Sequence, residues 1–148
     1  MASSEKLPDL ETVLIYQLYR IGRVLRSHHQ NMLDDKAPDF SPEQFFLLYR
    51  LFRRDGQTQR ELADKTLNDH PNITRMIDKL EMNGYVVRAP DKEDRRTFNI
   101  MLTNKAKKLF EQSIPLIEGE RKKLLSGITA EDEKAVRKVL AQIEKNIG

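Results

Sequence analysis

Asn72, Thr74, Arg75 and Lys79, with His70 shortly before them, lie within one stretch of ten residues. Their side chains carry the donors and acceptors that read nucleic acid. Asn pairs bidentately with adenine edges, Arg with guanine edges or phosphates, and Thr with phosphates or thymine methyls. A second cluster, Asp91-Lys92-Glu93-Asp94-Arg95-Arg96, mixes acids with bases. An acid beside an Arg can fix the direction of its guanidinium, so Asp94 is the candidate organiser and Arg95 and Arg96 the candidate groove or phosphate contacts. A third set, Tyr16, Tyr19 and Arg20, could sandwich an aromatic ring while Arg20 meets a carboxylate; the same residues could instead pack a dimer seam. Each polar residue would equally suit a solvated helix face, so its meaning depends on the elements that carry it.

Other chemistry is harder to place. The absence of cysteine removes disulfides, thiol catalysis, thiol redox sensing and thiolate metal sites. His28 and His29 are adjacent, so on a helix they point about a hundred degrees apart and cannot chelate one ion together. There is no Gly-rich phosphate loop, nucleophile elbow or H-E-x-x-H element. No enzyme, metal or cofactor is expected. The chain has 148 residues, 39% hydrophobic and 33% charged, enough for one core and without a run of apolar residues long enough to span a bilayer. The N-terminus MASSEKLPDLE lacks a signal peptide's apolar stretch, so a soluble, cytoplasmic chain is expected. The net charge is only +3, but residues 53–108 hold 13 Lys and Arg against 9 Asp and Glu. An anionic partner would dock on this middle third.

The positioning elements follow from periodicity and caps. Leu14, Leu18, Ile21 and Leu25 share one helical face, which predicts a long helix over about 9–33. Residues 34–39 read as a connector. Ser41-Pro42-Glu43-Gln44 is a capping box with a first-turn proline, opening a second helix expected to bury Phe45, Leu48 and Phe52. Thr58-Gln59-Arg60-Glu61 repeats the box before a short helix ending near Thr66. Asp69 is the expected N-cap of a fourth helix, which carries Ile73, Ile77 and Leu80 on one face and ends at Gly84. Residues 85–89 and 97–102 then alternate as the strands of a hairpin with a charged tip. Thr103 caps a fifth helix that Pro115 should kink, and Thr129 opens a sixth with Val136, Val139, Leu140, Ile143 and Ile147.

Two short helices joined by a tight turn and followed by a two-stranded ribbon describe a winged helix-turn-helix. The expected fold is mainly α with a small β-wing: six helices and a two- to three-stranded antiparallel sheet. On the fourth helix Ile73, Met76, Ile77 and Leu80 must face inward, which turns Asn72, Arg75 and Lys79 outward with Thr74 and His70 nearby. An α-helix fits the major groove of duplex DNA, and a charged hairpin beside it can follow the backbone or enter the minor groove.

Leu62-Ala63-Asp64-Lys65, then the run from Asn72 to Glu81, then Gly84-Tyr85-Val86 resemble the helix-turn-helix of the multiple antibiotic resistance regulator (MarR) family. The wing is similar too: Asp94, Arg96, Leu102 and Thr103 match that family's D-x-R-x5-L-T pattern at every fixed position. The resemblance runs from the first helix to the Leu124–Thr129 junction and the last helix. It implies a single domain over 1–148, with 9–33 and 103–148 as dimerisation helices and 41–102 as the DNA-binding lobe. It further implies a homodimer on a pseudopalindromic double-stranded operator, with a small aromatic or phenolic ligand changing the spacing of the lobes and relieving repression. Apolar stripes on helices one, five and six exceed what one small lobe can bury, which independently points to a second copy. Many relatives begin the recognition helix with Ser, Lys, Ser, Thr; here Asp69, His70, Pro71 and Asn72 stand there, so operator preference does not transfer. Two other readings stay open, a winged-helix protein-interaction module and a ligand-insensitive regulator.

Overall fold

The computed structural model of the chain describes residues 6–36, 40–66 and 70–148, the side chain of His70 excepted. The expected N-cap Asp69 lies outside the described residues. The chain folds as two compact units, Met1–Lys107 and Lys108–Gly148.

In the first unit a 3-10 turn, Leu10–Thr12, precedes helix α1, Leu14–Lys36. The helix therefore starts later and ends later than the expected 9–33. Val13 is extended at φ −78° and ψ 115°, which breaks the turn from the helix. At the other end Asp34, Asp35 and Lys36 remain helical, with Lys36 placed where the helix dipole favours a cation. Helix α2, Pro42–Arg53, begins with the expected capping box: Ser41 Oγ accepts from the Gln44 amide, and the Gln44 side chain accepts from the Ser41 amide. Ser41→Ala should cost about 1 kcal/mol of stability, readable as a lowered urea midpoint.

The face that α2 buries differs from expectation. Leu47, Leu48 and Leu51 are fully buried, whereas Phe45 and Phe52 are only half-buried. The stripe that reaches the core is Gln44, Leu47, Leu48 and Leu51, spaced at helical intervals. Phe45 and Phe52 each sit one position off it, and their size rather than their phase made them conspicuous.

A short strand β1, Gln57–Thr58, leads into helix α3, Gln59–Thr66, then helix α4, His70–Met82. Strands β2, Val86–Pro90, and β3, Phe98–Leu102, follow. The sheet is antiparallel in the order β1-β3-β2, with Val86 opposite Leu102, Arg88 opposite Ile100, and Gln57 also opposite Ile100. Leu47, Leu48 and Leu51 share the buried core with Leu62, Ile73, Ile77, Leu80, Val86 and Ile100. Helix α5, Asn104–Leu124, crosses from the first unit into the second and stays helical through Pro115. Helix α6, Ala130–Ile147, is capped by Thr129, whose hydroxyl accepts from the Asp132 amide. Among the described residues, six α-helices with a three-stranded antiparallel sheet make the fold a mostly helical winged helix-turn-helix. Among the described residues no helix is long and apolar enough to cross a membrane, and no group of three or more acidic or His side chains is placed to hold a metal ion.

Candidate nucleic-acid interface

Helix α4 turns one face fully inward. Ile73 and Ile77 are 0% exposed, Leu80 1% and Met76 8%. That anchoring fixes the rotation of the helix, because any turn about its axis would lift these groups out of the core. The opposite side then carries Arg75 and Lys79, both exposed, with Asn72 and Thr74 half-buried at its edges. The Thr74 hydroxyl accepts from the side-chain amide of Gln59 at the start of α3, a link that ties the two helices of the motif together.

Two acids, Asp78 and Glu81, lie on the same exposed half of α4. Left alone they would repel a phosphate backbone. Arg88 of β2 reaches both: its guanidinium donates to Asp78 Oδ1 at 2.6 Å and to Glu81 Oε1 at 2.8 Å, and its amide donates to Glu81 Oε2 at 3.2 Å. Its side chain is only 20% exposed, so the wing and the C-terminal half of α4 are joined by a partly sheltered clasp of one cation between two acids. Arg75 and Lys79 have no carboxylate partner among the described residues. With Arg88 counted, three cations stand against two acids, so this surface is net positive although the charges of α4 itself cancel.

Gly84 closes α4 at φ +78°, a left-handed conformation that returns the chain directly into β2. Thr103 Oγ1 donates to the Gly84 carbonyl at 2.7 Å, so the end of the hairpin is sewn to its beginning. Asp55 does the same for the sheet, its Oδ1 accepting from the amides of Gly56 at 3.0 Å and Leu102 at 2.9 Å. The hairpin is therefore held at its base by groups distant in sequence.

At the tip, Asp94 acts differently from expectation. Its carboxylate accepts from the Arg96 amide at 3.0 Å and the Thr97 hydroxyl at 3.3 Å, and no ion pair joins it to Arg95 or Arg96. Asp94 organises the turn itself, where the amide two residues on and the hydroxyl three residues on are in reach of a short acid. Asp91 does the same one step earlier, accepting from the Glu93 amide at 2.8 Å and the Asp94 amide at 3.2 Å. Those two amides hold the Asp91 carboxyl below its usual range. A lowered value in the folded state means the contribution is complete above the ordinary aspartate range and is lost as pH falls through the folded value. Acidification should accordingly expose the Glu93 and Asp94 amides to hydrogen exchange before the core amides, a difference that NMR resolves. Lys92, Arg95 and Arg96 all remain exposed on this braced turn.

Tyr16, Tyr19 and Arg20 come together on one side of α1, where they line a shallow hollow with Arg23 and Val24. Tyr19 is 73% exposed there. Reading the sequence alone missed Gln59, Arg88, Asp55 and Asp91, the residues that aim the others. Arg88 carried a usable signal, since a charged residue within an otherwise apolar strand needs a partner.

The arrangement has relatives. The MarR family model matches residues 40–98. The chain is 30% identical over 135 residues to the uncharacterized HTH-type transcriptional regulator YybA of Bacillus subtilis, covering 88% of this chain and 87% of that one. Its fold is similar to that of a MarR protein from Peptoclostridium difficile, at a TM-score of 0.81 and 24% identity over 99% of this chain and 95% of that one. It is equally similar, at a TM-score of 0.81 and 22% identity over 92% of this chain and 99% of the other, to MepR of S. aureus in complex with DNA. With the helix-turn-helix, the braced wing and this degree of identity along nearly the whole length, the chain belongs to the MarR family.

Proposed function

We propose that the chain is a homodimeric, sequence-specific regulator of transcription that binds double-stranded DNA in the cytoplasm, and a repressor that a small aromatic or phenolic ligand releases from its operator. The observation that carries the reading is the outward face of α4: Arg75 and Lys79 stand exposed on a rigidly seated helix whose acids are occupied by Arg88. In this reading His70, Asn72, Thr74, Arg75 and Lys79 meet base edges and phosphates in the major groove, and Arg95 and Arg96 reach the flanking backbone or minor groove. The MepR chain of similar fold is a DNA complex, in keeping with that assignment.

Dimerisation is assigned to residues 9–33 and 103–148, and DNA binding to 41–102. Neither α1 nor α6 contains a buried residue. Leu14, Ile15, Ile21 and Val24 on α1 are exposed, as are Val136, Val139, Leu140 and Ile147 on α6. Apolar surface of that extent on two helices is stable in water when a second copy covers it. The ligand's first candidates are Tyr16, Tyr19 and Arg20.

Arg96→Ala tests the wing. Affinity for duplex should fall about tenfold, and the slope of log Kobs against log salt should flatten by about 2, one phosphate contact for each copy in the dimer. A gel-shift titration with unchanged affinity and slope removes Arg96 from the interface.

A further inference from the structure

Gln59 opens α3 and Thr74 lies in the second turn of α4, yet the side-chain amide of the first donates to the hydroxyl of the second. Both partners stand on fixed seats. Leu62 and Ala63 bury the inner side of α3, and Glu61 closes its first turn: the carboxylate accepts from the Thr58 amide at 2.8 Å, and the Thr58 hydroxyl accepts from the Glu61 amide at 3.1 Å. Arg54 of α2 holds the same carboxylate at 2.7 Å. On α4, Ile73 and Ile77 are fully buried. The core thus sets the separation of the two backbones, and the bond from Gln59 to Thr74 acts on the side chains themselves.

Its effect on Thr74 follows from the shape of threonine. Successive residues of an α-helix turn by about 100°, so Thr74 lies between Ile73, which faces the core, and Arg75, which faces outward. Its Cβ carries a hydroxyl and a methyl that cannot point the same way, and in a helix threonine divides between two rotamers. With the oxygen drawn to Gln59, one rotamer is selected and the methyl is turned off the α3 side. Offering the hydroxyl to a nucleic acid would break this bond and leave the amide of a half-buried Gln59 in search of a partner. A polar residue at the edge of the outward face is thereby given an apolar tip.

We propose that Gln59 is a positioning residue that makes Thr74 a reader of the thymine methyl, the Thr74 methyl packing in the major groove against the C5 methyl of one thymine in each half-site. The proposal rests on the DNA-binding reading above and narrows it, because Thr74 takes an apolar base contact in place of a hydrogen bond or a phosphate. Gln59 acts through Thr74 and touches no base.

The test uses the tightest duplex that the full-length chain recovers from a random pool, with each thymine replaced in turn by deoxyuridine, which pairs identically and lacks only the methyl. One thymine in each half-site should respond, its replacement weakening affinity about fourfold, and about fifteenfold when both half-sites are changed, as expected for one buried methyl at each. Thr74→Ser keeps a hydroxyl for Gln59 and removes the methyl. Its affinity for the thymine duplex should fall by about the same fifteenfold, and it should become indifferent to the replacement. Gln59→Ala lets Thr74 return to two rotamers, so the preference for thymine over deoxyuridine should shrink to below about twofold per half-site. A merely structural role for Gln59 would weaken both duplexes alike and leave that ratio unchanged.

Indifference of the unmodified chain to every thymine methyl would overturn the proposal. So would a thymine preference that survives in Thr74→Ser, which would give the methyl to another reader, or one that is undiminished in Gln59→Ala. Recovery of no duplex from the pool would sink the DNA-binding reading and this proposal with it, whereas a recovered duplex that tolerates every replacement sinks the proposal alone.

Discussion

Arg75→Ala should abolish discrimination between the operator and a scrambled duplex while leaving the fold intact. Arg75 is exposed in the middle of α4, and alanine there is as good a helix former as any residue, so the melting temperature should hardly move. A bidentate contact to a base is worth about 1–3 kcal/mol, and in a dimer each substitution acts at two half-sites, giving about 2–6 kcal/mol in all. Affinity for the scrambled duplex should fall much less, because only two charges among many phosphate contacts are lost. Competition titrations at fixed salt separate the two quantities. An equal loss on both duplexes would reassign Arg75 to the backbone.

Arg88→Met is expected to impair DNA binding without any contact of Arg88 with DNA. Removing the guanidinium frees Asp78 and Glu81 on the outward half of α4 and detaches β2 from that helix. The acids are substantially exposed, so the stability loss should not exceed about 1 kcal/mol. The cost to binding is larger: one net negative charge is added to each half-site beside phosphates, which at a separation of several ångströms amounts to about 1 kcal/mol per half-site at low salt. Duplex affinity should drop by about ten- to a hundredfold, with the deficit shrinking as salt rises. Adding Asp78→Asn and Glu81→Gln to Arg88→Met tells the two contributions apart. Restored affinity means that charge was the cause; persistent loss means that the clasp sets the aim of the wing.

What the sequence made legible was local. The capping boxes at Ser41 and Thr58, and the Thr129 cap, each join residues three apart, and all three are present. The inward stripe of α4 was legible because Ile73, Ile77 and Leu80 repeat at one period with no competing large residue. On α2 competition existed, and two Phe residues drew the reading one position away from the Leu47, Leu48 and Leu51 face that reaches the core. At the wing tip, three acids and three bases in six residues left the pairing undetermined, and backbone amides took the Asp91 and Asp94 carboxylates first. The links that shape the site as a whole cross larger separations: Arg88 to Asp78 over ten residues, Gln59 to Thr74 over fifteen, Asp55 to the Leu102 amide over forty-seven. No local pattern encodes such pairs, because they exist only once the sheet has folded back on the helices.

Seen this way, the recognition helix is a mixed-sign element made positive by a neighbour, and the wing is a turn whose acids fold the backbone so that its arginines stay outward. Both features serve the proposed arrangement, in which two copies of α4 enter successive major grooves. Selection of bound sequences from a random duplex pool tests it most directly. Two copies on a twofold axis should enrich an inverted repeat whose half-site centres lie about 10 bp apart, one helical turn. A single unsymmetrical motif, or no enrichment at all, would contradict it.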